Sequence, residues 1–175
     1  EVLTQHRLRD LVRALDKAKD DGRVKAVVLD LDRFLGGYPA TIGTLGEAIG
    51  RVRASGKPVL AFATAYSDSS YALAAHASEI WVDPFGGALF AGPGGSRLYY
   101  KGLLDRLGVN AHVYRVGTYK SAVEPYVLNE ASPAAKQADT ALYGALFGQW
   151  VEMVKKARPK ADLARYVAQP DTAVL

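Results

Sequence analysis

The stretch VGTYKSAVEPY, Val116 to Tyr126, places one lysine, Lys120, between a Val-Gly turn and a Pro-punctuated segment. Its neighbours are mostly apolar, small or aromatic. A lysine at the end of a strand, under packed neighbours, loses the hydration of its ammonium form, and the neutral amine becomes a usable proton acceptor. A serine–lysine dyad needs this chemistry: the amine takes the hydroxyl proton as the serine attacks a carbonyl. Ser121 follows immediately, but side chains adjacent in sequence usually point different ways. On composition alone, the plainer reading of Lys120 is a solvated loop lysine.

Other residue types offer less. His6, His76 and His112 lie far apart, and none belongs to a ligand-spaced pair, so metal binding has little support. His76 sits in an alanine-rich helical stretch and reads as a packed or surface residue. Asp30 and Asp32 fall on the same side of a strand end, like a carboxylate pair, but no third ligand is evident. GPGGS (92–96) precedes a helix and offers backbone N–H groups to an anion. It lacks the P-loop spacing and the Gly-Lys-Ser/Thr ending, and it does not fit G-x-G-x-x-G. No cofactor is implied.

The elements around these residues follow from periodicity. Leu8, Leu11, Val12 and Leu15 recur at helical spacing, and VKAVVLDL (24–31) is nearly continuous in apolar residues, as in a parallel strand covered on both faces. Ile42, Leu45, Ile49 and Val52 mark a second helix; Thr44 and Glu47 have the capping-box spacing, and a start near Thr41 is equally open. PVLAFATA (58–65) reads as another buried strand, SSYALAAHA as a small-residue helix and EIWV as a short strand. Tyr100, Leu103, Leu104 and Leu107 define a helix closed by Gly108 as its C′ residue. NAHVYRVG (110–117) alternates like a strand. Ser132-Pro133 opens a last helix, Ser as N-cap and Pro at N1, running to about Arg158. Strands alternating with helices predict an α/β fold with mainly parallel pairing.

The 175 residues suit one domain, 1–175, and the composition, 49% hydrophobic and 23% charged, is that of a globular protein. No window approaches the roughly 18–20 unbroken apolar residues of a membrane span. The net charge of +4 is scattered and forms no basic run, which points away from nucleic acid as the main partner. With no cysteine, disulfides and thiolate chemistry are excluded; this suits an oxidising compartment but also many cytosolic proteins. The chain opens inside a helical pattern without initiator methionine or signal peptide, and is expected to be a piece of a longer protein.

VYRVGTYKSAVEPY followed by ASPAAKQAD resembles the lysine-bearing segment of the signal peptide peptidase A (protease IV) family. The similarity continues in order through VKAVVLDL, RASGKPVLAF, YALAAHASEIWVDP and GSRLYYKGLLDRLGV, and so covers most of the chain from about residue 24 to 157. The resemblance implies a crotonase and Clp-protease type of fold, built from repeated β–β–α units. It implies hydrolysis of cleaved signal peptides at the outer, periplasmic face of the bacterial cytoplasmic membrane. It also implies assembly of several protomers, with apolar peptide segments as substrates.

The long form of that family is a tandem duplication, with the general-base lysine in the first half and the nucleophilic serine in the second. The serine half carries Ala-Ser-Gly-Gly-Tyr, where this chain reads Tyr66-Ser67-Asp68-Ser69-Ser70-Tyr71. Anchored on the tyrosine, Asp68 stands at the nucleophile position, and no serine is in register. Asp32-Arg33-Phe34-Leu35-Gly36-Gly37 replaces the Ser-Pro-Gly-Gly loop that would supply oxyanion-hole N–H groups. The chain therefore resembles the N-terminal half, with Lys120 as the base and its serine supplied from the C-terminal half. As an isolated fragment, this piece of a Ser/Lys-dyad endopeptidase is expected to be inactive; Tyr119 and Ser121 are candidates to orient the amine. Two other readings stand: a non-catalytic structural half kept for assembly, and an acyl-CoA enzyme on the same fold, for which no paired carboxylates stand out.

Overall fold

The computed structural model describes residues 6–163. Within it the chain forms two compact units, one made of residues up to Ala91 together with those from Gly148 onward, the other of Gly92–Phe147.

The first unit begins with α1 (Leu8–Asp20), whose apolar stripe is half-buried. It is pinned to α2 (Pro39–Ala54) by the Arg51 guanidinium, which donates to both carboxylate oxygens of Asp16 at 3.0 Å. The Lys57 ammonium caps the C-terminal end of α1 by donating to the carbonyls of Ala18 and Asp21, each at 2.6 Å. Helix α2 starts with Pro39 in its first turn, ahead of Thr41 and Thr44. The Thr44 hydroxyl donates to the Ala40 carbonyl inside the helix, so the fixed φ of proline, not a threonine cap, sets this start.

Three strands, β1 (Val27–Asp30), β2 (Val59–Tyr66) and β3 (Glu79–Ala88), pair in parallel in the order β1-β2-β3. Between β2 and β3 lies α3 (Asp68–Ala74). Consecutive crossovers of one hand in this strand order put their helices on one face of the sheet. Val59, Ala61 and Ala63 point into that face and are fully buried with Ile49, Val52 and Leu73. The other face, carrying Val28, Phe62 and Trp81, is exposed. The expectation of strands covered on both faces therefore holds for one face only.

Strand β3 is longer than the EIWV stretch suggested, because it resumes pairing with β2 after an irregularity between Ala63 and Ala65. Gly86 makes that possible: a Cβ there would stand 1.6 Å from the Thr64 carbonyl oxygen. An aromatic cluster of Tyr66, Tyr71, Phe90 and Trp150 closes one end of the core, with the Trp150 indole N–H donating to the Asp68 carbonyl at 2.7 Å.

In the second unit, α4 (Lys101–Arg106) ends as predicted at Gly108, whose φ of +70° is the left-handed conformation of a C′ glycine. It packs on the short α5 (Glu124–Val127) through stacked Tyr100 and Tyr126 rings and a bond from the Tyr100 N–H to the Pro125 carbonyl at 2.7 Å. Helix α6 (Pro133–Ala157), whose residues up to Phe147 belong to this unit, begins where Ser132-Pro133 predicted, with the Ser132 hydroxyl accepting from the Ala135 N–H. Residues 110–117, expected to be a strand, are not one: among the described residues they pair with no other strand.

Candidate active site

Lys120 sits on a turn of the second unit. Gly117 takes φ +106°, a conformation that favours glycine, and the Lys120 N–H closes back on the Gly117 carbonyl at 3.3 Å. The Lys120 side chain is exposed, and among the described residues nothing accepts a hydrogen bond from its amine. The expectation that this chain buries Lys120 is thus corrected. Its flanking segment 110–117 has no partner strand here, so no packed layer lies over the amine. Ser121 is half-buried, and its carbonyl accepts from the Glu124 N–H; the Tyr119 hydroxyl donates to the Gln137 side chain at 3.2 Å. Neither bonds to the Lys120 amine.

The main chain of Lys120 is held instead. One nitrogen of the Arg115 guanidinium donates both to the Lys120 carbonyl, at 3.0 Å, and to the Glu124 carboxylate, at 3.2 Å. Glu124 is fully buried. It also accepts from the Ser132 hydroxyl at 2.7 Å and from the Ser132 N–H at 3.0 Å. These Ser132 bonds first, and the Arg115 charge after them, hold the Glu124 carboxyl below the usual carboxylate range. A cleft of about 350 Å³ is lined by Ala111, His112, Val113, Tyr114, Arg115, Val123, Val127 and Leu128. Sequence reading did not single out Arg115 or Glu124. The available signal was a carboxylate inside an apolar, Pro-bearing turn only eight residues before a helix cap.

Ser67 and Ser70 of the first unit are occupied structurally. Ser67 is the N-cap of α3, and its hydroxyl and that of Ser70 form a reciprocal capping box: the Ser67 N–H donates to the Ser70 hydroxyl at 2.8 Å and the Ser70 N–H to the Ser67 hydroxyl at 3.4 Å. Ser69 lies beside the glycine loop, its hydroxyl 3.6 Å from where a Cβ of Gly36 would stand. Asp68 is the first residue of α3.

The remaining candidates are brought to no common site. Asp32 ties the end of β1 to β2, accepting from the Thr64 N–H at 2.5 Å and the Thr64 hydroxyl at 3.2 Å, while Asp30 accepts from the Asp32 N–H. His76 is buried against Gly46 of α2, its Nε2 has no partner among the described residues, and burial pushes its pKa down to about 4. His6 is exposed, and no cluster of three metal-ligating side chains exists among the described residues. The GPGGS stretch is loop.

Residues 51–171 match the family described as Peptidase family S49. Two curated relatives are both called Protease 4. That of Salmonella typhi is 43% identical over 156 residues, covering 89% of this chain and 25% of the relative. That of Haemophilus influenzae is 37% identical over 166 residues, covering 91% of this chain and 27% of the relative. The chain spans about a quarter of the length of these two relatives. Its α/β architecture with a parallel sheet is consistent with the Clp-protease and crotonase type of fold.

Proposed function

The chain belongs to peptidase family S49, and from that premise we propose that it is the lysine-bearing part of a Ser/Lys-dyad endopeptidase that degrades cleaved signal peptides. Lys120 is the general base. It takes the proton of a serine supplied by the C-terminal half, passes it to the leaving amine, and then activates the water that releases the acyl group. The observation that carries this reading is the contrast at Lys120: its main chain is fixed by Arg115, while among the described residues its amine has no partner. The capping roles of Ser67 and Ser70 add support, since hydroxyls committed to a helix start are poor nucleophiles. A dry amine, which the dyad needs, then arises only when the rest of the polypeptide covers this turn.

Apolar peptide segments are the substrates of this reading; Val113, Val123, Val127 and Leu128 give the cleft at Arg115 an apolar part that suits them. The partners are the C-terminal serine-bearing half and further copies of the protein. The outer, periplasmic face of the bacterial cytoplasmic membrane is the proposed location; no helix among the described residues is long and apolar enough to cross a membrane. No cofactor takes part. The test is complementation. The chain alone is expected to give no peptide turnover, and turnover is expected with the serine-bearing remainder present. Turnover by the chain alone that disappears in Ser69→Ala would place the nucleophile here and overturn the division of labour.

The exposure of Lys120 favours a second reading, in which this part is a non-catalytic half kept for assembly and groove shape. Replacing Lys120 in the whole protein separates the two.

A further inference from the structure

We propose that Arg115 and Glu124 are positioning residues for Lys120, fixing the main chain from which the amine is presented to its serine. The inference rests on the reading of Lys120 as the general base. A lysine amine rides on a flexible four-carbon stem, so its direction is only as good as the anchoring of its backbone. Local anchoring of Lys120 is slight: one 3.3 Å turn bond to a glycine in the left-handed region. The firm tether is the Arg115 nitrogen shared between the Lys120 carbonyl and the Glu124 carboxylate. Glu124 is in turn fixed by two bonds from Ser132 at the start of α6. The Lys120 carbonyl is thereby referenced to a long helix instead of to its own loop.

Stability alone gives a weak account of this arrangement. Burying a carboxylate is costly, and an apolar side chain of similar volume often serves a fold as well or better. The N-cap of α6 is made by the Ser132 hydroxyl to the Ala135 N–H and does not itself need Glu124. What Glu124 uniquely provides is a fixed, negatively charged seat for Arg115. Arg115 is 40% exposed, so its removal leaves no sealed cavity.

The test uses the whole peptidase and a fluorogenic apolar peptide. Arg115→Ala is expected to lower kcat by about 10- to 100-fold, the range for a reacting group misplaced by roughly an ångström, with KM within about two-fold. Millimolar guanidinium, filling the vacated site, is expected to restore part of kcat. Glu124→Gln, which keeps the shape and removes the charge, is expected to lower kcat in the same direction by less, and it serves as the second variant if Arg115→Ala does not fold. Lys120→Ala is measured in parallel. If it abolishes turnover while both other variants keep wild-type kcat, the positioning role is wrong and the base reading stands. Losses that follow a lowered melting temperature, with no response to guanidinium, make the pair merely structural and overturn the inference. Turnover retained in Lys120→Ala removes the base reading and this inference together.

Discussion

Two buried ionisable side chains respond to acid in different windows. His76 is held near 4 by burial first, with the Arg53 charge adding to the effect, against an ordinary value of 6.5. A lowered histidine means that the folded state binds fewer protons than the unfolded one. Its contribution is therefore fully present above about 6.5 and lost as pH falls toward 4. Urea titrations between pH 7 and 4 are expected to show this loss, and His76→Leu to flatten it. Glu124 is lowered too, chiefly by Ser132 and next by Arg115, from an ordinary 4.5. A lowered carboxylate stabilises above its unfolded value, so its share goes only below about 4.5, as pH falls through the folded value; Glu124→Gln is expected to remove that later limb and leave the His76 limb intact. Sequence alone placed His76 in a helical stretch, but its burial was not visible there, because it depends on Gly46 of α2, thirty positions earlier in the chain, leaving room for the ring. Glu124 was illegible for a similar reason: its burial depends on partners, Arg115 and Ser132, that lie nine and eight residues away.

Elements whose signals are local could be read, and those that depend on a partner could not. Helix α6 begins at Pro133 because an N-cap serine and an N1 proline act within one turn, and α4 stops at Gly108 because only glycine accepts the left-handed C′ position easily. Residues 110–117 alternate as a strand does, yet a strand exists only through the bonds of a neighbour, and among the described residues there is none. The extension of β3 past Trp81 and Val82 was hidden for the opposite reason, since the glycines that look like loop are what let the ladder resume. Gly86→Ala is expected to drive a methyl group into the Thr64 carbonyl and cost about 3 kcal/mol or more, read as a lowered urea midpoint. Ser132→Ala is expected to cost about 1 kcal/mol through the α6 cap, and more through the bond lost by the buried Glu124 carboxylate.

At the scale of the whole molecule, the open face of the sheet and the exposed Lys120 have one explanation in the proposed reading: both belong to surfaces that the rest of the polypeptide covers. Parallel sheets are ordinarily covered on both sides, and here Val28 and Trp81 are 66% and 59% exposed. In a Trp150→Phe background, Trp81 fluorescence is expected to be readily quenched by acrylamide in this chain and protected in the full-length protein. Equal quenching in both would leave the face without a partner. Membership of family S49 was legible in the ordered motifs, because a set of segments agreeing in sequence order is more specific than any one of them. The exposure of Lys120 was not legible, since the apolar neighbours in VGTYKSAVEPY do not say whether they pack over the side chain. The most direct measurement is peptide hydrolysis by the full-length protein carrying Lys120→Ala, with its melting temperature checked against wild type. A fall in kcat of about a thousand-fold or more in a normally folded protein is the expected result; near-normal turnover would contradict the assignment of Lys120 as the base.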